Sequence, residues 1–490
     1  MSDTPREPTL GESLIPIAFL IALLSVNVIV VFGDEAISGS NQIVLLLSAA
    51  VAGLVALRTG ITWETMQDGI VKSISSAMSA ILILLLIGSL AGTWMLSGIV
   101  PAMIYYGLQI LNPTIFLFAA VVVCAIVAVA TGSSWSTVAT VGIALLGIGK
   151  ALGLPEDIIG GAIVSGAYFG DKMSPLSDTT NLAPAMAGTD LFTHIRYMTL
   201  TTVPSIVITL LIFLGIGFMS EEATSATGID DVLLALDNTF TINGWLFIVP
   251  VVVIGMIVRK VPAIPALLVG ALLGGLFAII FQPQVLQEVS GGTPGAFGAY
   301  TAVMRALYTD ISIVTDNPMV NELLSTGGMA GMLNTVWLII CAMVFGGVME
   351  SAGMLARITQ SIVQFARSTG SLIASTAVTS IFFNVTASDQ YLAIVVPGRM
   401  YADIYRKRGL KPENLSRTLE DSGTVTSVLI PWNTCGATQA SVLGVATIAY
   451  APYAFFCLIS PLMTILYGYL NIKIARYTSE EVHEQTLENA

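Results

Sequence analysis

The sequence predicts an all-α polytopic membrane protein made of two inverted five-crossing repeats, each with a re-entrant hairpin and a broken transmembrane helix. Three observations predict it. Of 490 residues, 55% are hydrophobic and only 10% are charged, with mean hydropathy +0.85, whereas about a quarter of the residues of a soluble globular domain are charged. Apolar runs long enough to cross a core of about 30 Å recur from one end of the chain to the other. Polar interruptions of those runs come in pairs, each pair separated by an offset of roughly half the chain.

The first repeat is assigned to 1–219. Crossings at 13–33, 41–57 and 73–97 are followed by an amphipathic stretch, Val100 to Leu111, suited to lying along the interface. The apolar block 113–152 is interrupted by ATGSSWST at 130–137 and reads as a re-entrant hairpin. A crossing over 157–188 is broken at Pro175, which removes helical hydrogen bonds just before LSDTTN at 176–181. The crossing 200–219 closes this half, and 220–244, acidic and free of Lys and Arg, is an external linker.

The second repeat, 245–474, follows the same order. Crossings at 245–260, 262–281 and 329–352 lead to the amphipathic stretch Leu355 to Arg367 and to a hairpin over 370–400 interrupted by FNVTASDQ at 383–390. A crossing over 415–447 is broken at IPWNTC, 430–435, with Asn433 falling where Asp178 lies in the first half; 452–474 closes the repeat, and 475–490 is a cytoplasmic tail. Five crossings per half is odd, so the second half enters the membrane upside down relative to the first, as in many secondary transporters.

Charge placement fixes the orientation. With both termini in the cytoplasm, 16 of the 19 basic residues fall inside, leaving Lys150 and Arg305 outside and Lys172 within the membrane, which obeys the positive-inside rule. The formal charge of −12 comes largely from acids clustered in connections and the tail (Asp34, Glu35; Glu221, Glu222, Asp230, Asp231; Glu480, Glu481), a solvated distribution that says little about attraction of cations, and no nucleic-acid partner is expected. The amino terminus lacks the short apolar region and cleavage site of a secretory signal. Cys124, Cys341, Cys435 and Cys457 stand singly in apolar surroundings and read as packed residues. Two histidines, His194 and His483, and no P-loop leave neither the makings of an enzyme nor those of a nucleotide-driven pump, and no cofactor is expected.

Backbone that leaves helical geometry inside a bilayer survives only where it is buried in protein or lines a wet cavity. The candidate ligands therefore lie at the two tips and two breaks: Ser133, Ser134 and Thr137; Ser177, Thr179 and Asn181; Asn384, Thr386 and Ser388; Asn433 and Thr434. Their hydroxyl and amide oxygens, with freed carbonyls, are the hard donors an alkali cation needs, and helix ends add favourable dipoles. Ionisable residues at membrane depth are costly and mark functional sites. Asp171, Asp178, Asp389, Asp421 and Lys172 qualify, with Glu420 close by; Lys172 has the structural alternative of an ion pair with Asp389 or Asp421. A desolvated carboxylate holds its proton more tightly and a nearby cation loosens it, so Na⁺ and H⁺ compete for one aspartate. Asp171 and Asp178 are the first choices for that role, with Asp389 next. His194, beside Arg196, reads as a solvated residue at the cytoplasmic surface.

YFGDKMSPLSDTTNLAPAMAGTDLFTHIRYM, Tyr168 to Met198, resembles the signature region of the NhaC family of sodium/proton antiporters, and TGSSWST and EDSGTVTSVLIPWNTCGA extend the likeness over most of the chain. That family belongs to an ion-transporter superfamily with two inverted repeats, each holding a hairpin and a broken helix. The resemblance implies Na⁺/H⁺ exchange in the inner membrane of a bacterium and, by analogy, a homodimer. The family also includes exchangers resembling malate/lactate antiporters, which makes a small carboxylate the alternative cargo. Cations that could meet a carboxylate are few, chiefly Lys172, with Arg399 near the second hairpin, so the residues lean toward a cation alone.

Overall fold

A computed structural model describes residues 6–32, 39–220, 229–315 and 317–477. Nearly all of it is helical. Leu10–Ser25 (α1) runs on through a π-turn, Val26–Val31, and is followed by Ser40–Arg58 (α2) and the 34-residue Trp63–Leu96 (α3), about 50 Å long at helical rise and so longer than a bilayer core is thick. Ile99–Ile110 (α4) matches the expected interfacial stretch. Pro113–Thr131 (α5), itself long and apolar enough to cross a membrane, Ser134–Thr137 (α6) and Ile143–Ala151 (α7) fill the block expected as the first hairpin. Glu156–Met173 (α8) and Asp178–Ala187 (α9) are the halves of the first broken helix, and Leu191–Ser220 (α10) closes this part of the chain.

Ile229–Thr239 (α11) bends by 88° into the segment containing Ile248–Val258 (α12), so the described part of the linker is a helix set across the next crossing. Glu221 and Glu222, Asp34 and Glu35, and the tail beyond Tyr477 lie outside the described residues. Ala263–Phe281 (α13) is long and apolar enough to cross a membrane. Pro283–Val289 (α14), Gly295–Tyr308 (α15), Pro318–Leu323 (α16) and Gly328–Gly331 (α17) then build a segment that the sequence left unassigned, with a two-stranded antiparallel ladder of Ile311–Ser312 (β1) and Ser325–Thr326 (β2). Its α15 is seated on α3: a Cβ on Gly92 would come within 1.8 Å of the Ala306 carbonyl oxygen, and Ser89 Oγ donates to Leu307 O at 2.8 Å.

Leu333–Ser351 (α18), Met354–Val363 (α19), and the second hairpin of Thr369–Thr386 (α20) and Leu392–Lys407 (α21) follow. The second broken helix is more fragmented than the first: Glu413–Leu419 (α22), a π-turn Glu420–Thr424, a single turn Ser427–Leu429, and Thr434–Leu443 (α23). Thr447–Tyr450 (α24) and Phe455–Tyr469 (α25) are the last described helices and meet across a 56° bend. Six described helices are long and apolar enough to cross a membrane, up to eight if each bent pair is one span. The protein is therefore a multi-pass membrane protein.

Local geometry recurs between the parts. Gly98 and Gly353, both left-handed, precede α4 and α19, and Gly188 and Gly444, left-handed again, close α9 and α23. Since α9 begins at Asp178 and α23 at Thr434, Asp178 corresponds to Thr434 and Ser177 to Asn433, which corrects by one residue the pairing of Asp178 with Asn433 drawn from the sequence.

Candidate functional site

Each hairpin tip is pinned to its break by contacts the local sequence makes available. At the first tip Gly132 is left-handed (φ +69°), and a Cβ there would lie 2.6 Å from Leu176 Cβ, so only glycine lets the tip sit in the break. Ser134 donates to Asp171 Oδ2 twice, from its backbone N at 3.1 Å and its Oγ at 2.7 Å, while Ser174 Oγ donates to Val129 O at 2.7 Å. Close approach of α5 and α8 rests on Gly166 and Gly170, where a Cβ would come within 2.3 Å and 2.4 Å of the Val121 and Ala125 carbonyl oxygens. At the second tip the left-handed residue is Ser388 (φ +58°), whose carbonyl accepts from Thr434 N at 3.0 Å. Asn433 Nδ2 donates to both oxygens of Asn384, and Trp432 Nε1 to Val385 O at 2.7 Å.

Both tips and both breaks open on one cavity of about 650 Å³. Asp171, Asp178 and Asp389 line it, together with Ser133, Ser177, Thr179, Asn181 and Thr434. The three acids differ in setting. Asp171 is buried and held by Ser134; Asp389 is buried and caps α21 through Leu392 N at 2.9 Å; Asp178 is exposed, not buried as expected, and stands at the first position of α9, where the helix dipole favours negative charge.

Other candidates support the walls without facing the cavity. Asn384 donates to Gly423 O at 2.7 Å and accepts from Asn433, whose own oxygen caps α23 at Cys435 N. Thr386 and Thr137 donate back to the helix carbonyls of Phe382 and Ser133, the ordinary habit of hydroxyls in membrane helices. Ser388 serves through its backbone, its hydroxyl finding no partner among the described residues. Lys172 and Asp421 form the structural alternative: both are fully buried and ion-paired to each other, with Ser460 Oγ 3.0 Å from the ammonium and Thr201 Oγ1 donating to Asp421 Oδ2 at 2.8 Å. This pair ties α8 to the second broken helix away from the cavity lining.

Sequence reasoning missed several lining residues. Trp135, Ser136, Gln390 and Cys435 sit in the very motifs it quoted; Trp135 and Cys435 carried no ion-ligand signal, whereas Ser136 and Gln390 bear the same hydroxyl and amide oxygens as the chosen residues and were passed over. Lys260, counted only among the cytoplasmic-side basic residues, stands at the cavity with a left-handed backbone (φ +64°). His194 is fully buried and hydrogen-bonded to Ser416 Oγ through Nδ1 at 2.8 Å, which corrects the solvated assignment, and Arg417, counted only among the cytoplasmic-side basic residues, is fully buried. The four cysteines are buried and unpaired by disulfides.

A cavity lined by two helix breaks and two hairpin tips, with carboxylates from the first break and the second tip, is the arrangement of a secondary transporter. The chain belongs to the Na⁺/H⁺ antiporter family, whose model matches residues 166–472. It is 40% identical over 475 residues to the Na⁺/H⁺ antiporter NhaC of Alkalihalophilus pseudofirmus, covering 97% of this chain and 98% of that one. It is 38% identical to the malate-2H⁺/Na⁺-lactate antiporter of Bacillus subtilis over 95% of each chain, and 35% identical to the arginine/ornithine antiporter ArcD of Halobacterium salinarum over 100% of this chain and 97% of the relative.

Proposed function

We propose that the protein exchanges Na⁺ for H⁺ across a bacterial inner membrane, by competition of the two ions for the acids of the cavity and alternating access between two inverted halves. The observation that carries this is the meeting of Asp171, Asp178 and Asp389 with both tips and both breaks in one cavity. A cavity acid that must carry either Na⁺ or H⁺ before the site can change sides couples the two gradients. Asp171 and Asp178 are the exchanging acids, Asp389 contributes a third oxygen ligand, and hydroxyls and amides of the four patches complete the cation's shell. Lys172 and Asp421 hold the frame. The turn Lys260 to Ala263 at the cavity carries part of the inside basic charge, so the cavity faces the cytoplasm in this conformation, with both termini on that side.

Cavity size favours a second reading. A volume of about 650 Å³ lies in the range of small-molecule pockets, about 300–1,000 Å³, and Lys260 offers a cation to a carboxylate. Na⁺- and H⁺-coupled exchange of small organic acids is the alternative. Proteoliposomes with an internal pH dye decide between them: Na⁺ alone should move protons, whereas proton movement only when malate or lactate is also present would replace simple exchange with the organic-acid reading. Orientation is tested by a cysteine placed in α11, which should react with an impermeant maleimide from outside the cell. Chemical cross-linking in the membrane tests the homodimer that the family likeness implies.

A further inference from the structure

Three basic residues that are far apart in sequence converge on one short stretch of backbone, well away from the cavity. That stretch, residues 366–369, links the amphipathic helix α19 to the start of the second hairpin at α20. Arg367 belongs to it. Arg408, just past α21, donates from Nη2 to Ala366 O. Arg476 donates from Nη2 to Thr369 Oγ1 at 3.2 Å and to Asn471 Oδ1 at 3.1 Å. The segment after α25 keeps the last two side by side: Leu410 forms a β-bridge with Arg476, Lys411 N donates to Ala475 O at 3.0 Å, and Tyr477 N donates to Gly409 O at 3.0 Å.

Nothing in the described chain neutralises this group. Arg367, Arg408 and Arg476 have no carboxylate partner among the described residues, and Asp403, the acid nearest to Arg408 along the chain, is taken by Arg406 at 2.7 Å. The guanidinium of Arg367 has no partner of any kind among them, and both it and Arg476 are exposed. Like charges held together repel, so the arrangement gains from an anion between them. A guanidinium fork matches the oxygens of a phosphate.

The surface beside these cations is apolar. Phe365 is 74% exposed, and Tyr469 and Leu470 are each 60% exposed. Gly370 brings the two sides together, since a Cβ there would lie 2.7 Å from the Tyr469 ring. Exposed aromatic residues beside basic ones are the pattern of a membrane interface, and an anionic cytoplasmic leaflet attracts basic clusters next to it. The positive-inside rule asks only that basic residues lie on this side. It does not call for three guanidinium groups around one turn, bordered by exposed Phe and Tyr.

We propose that this surface binds the headgroup of an anionic phospholipid of the cytoplasmic leaflet, with the phosphate between Arg367 and Arg476, Arg408 adding charge behind it, and Phe365 and Tyr469 against the acyl chains. A lipid seated there ties the end of α25 to the root of the second hairpin. The inference does not depend on which ions the cavity exchanges.

The test titrates the purified protein, in a neutral detergent, with dioctanoyl phosphatidylglycerol and follows thermal unfolding. The midpoint should rise with phosphatidylglycerol and stay unchanged with zwitterionic dioctanoyl phosphatidylcholine or with inorganic phosphate. Basic residues at such a surface contribute about fivefold each in affinity, so Arg367→Gln combined with Arg476→Gln should raise the concentration that gives half the shift by about 30-fold. A wild-type midpoint that phosphatidylglycerol does not move, an equal shift with phosphatidylcholine, or a double variant that titrates like the wild type would each overturn the site. A shift produced equally by inorganic phosphate would assign the arginines to a free anion and overturn the lipid. If the double variant does not purify as a single species, Arg367→Gln replaces it, because that substitution breaks no contact among the described residues; about fivefold weakening is then expected, and an unchanged titration overturns the proposal.

Discussion

The two breaks share a geometry and differ in chemistry. Each is a short gap in a helix, filled by a hairpin tip with one left-handed residue and followed by a ten-residue helix closed by a left-handed glycine. In the second break nearly every polar group is spent on architecture: Asn433 caps α23 and grips Asn384, and Thr434 N bonds Ser388 O. The first break is charged where the second is neutral. Asp171 bridges tip and helix, yet it faces the cavity, and Asp178 holds the position of Thr434 with its carboxylate exposed. One break thus supplies charge and the other a fixed wall.

Removing the charge of the first break breaks that contrast outright. Asp171→Asn and Asp178→Asn should each abolish Na⁺-driven proton movement in the dye assay while the protein still purifies as a folded species; full activity in either variant would remove that residue from the site. Next in size is the bolt between α8 and the second broken helix. Lys172→Met leaves Asp421 buried without its partner, which costs about 3–5 kcal/mol, whereas Lys172→Met combined with Asp421→Leu should recover much of the loss because an apolar pair avoids the desolvation of two ions. Thermal unfolding in detergent reads this, and a double variant no more stable than the single one would show that the pair is doing more than holding the helices together. The neutral break responds less: Asn433→Ala loses a helix cap worth about 1 kcal/mol along with the contacts to Asn384, so its melting temperature should fall while exchange persists at a reduced rate.

How far this contrast was readable without coordinates depends on the physics behind each signal. The helical, membrane-spanning character and the four polar interruptions were legible because the bilayer forces long apolar runs and punishes every polar interruption, so ATGSSWST, LSDTTN, FNVTASDQ and IPWNTC stand out against their surroundings; the ten crossings expected compare with six described helices long and apolar enough to span, or up to eight if each bent pair is one. The segment of α14 to α17 was not, since short amphipathic helices rich in Gly and Pro carry no strong period. Partner choice was not legible either. Nothing local says that Lys172 takes Asp421 and not Asp389, because that depends on how two helices 249 residues apart pack. Asp178 and His194 were placed on the wrong sides of the surface for a related reason: membrane depth can be read from hydropathy, but exposure to a cavity or burial beneath a neighbouring helix cannot.

The smallest effect tests how the charged break is held. Ser134 supplies Asp171 with two donors, one from the backbone and one from the side chain. Hydrogen bonds to charged groups contribute about 1.5–3 kcal/mol, and Ser134→Ala removes only the hydroxyl, leaving the backbone N–H to keep the carboxylate turned toward the tip. Exchange should therefore continue with a weaker apparent affinity for Na⁺, measured by titrating Na⁺ in the dye assay, well short of the loss in Asp171→Asn. If Ser134→Ala is as inactive as Asp171→Asn, the hydroxyl is itself an ion ligand and not a positioning group. If its Na⁺ affinity is unchanged, the backbone donor alone orients Asp171, and the first tip, like the second, acts on its break chiefly through main-chain groups.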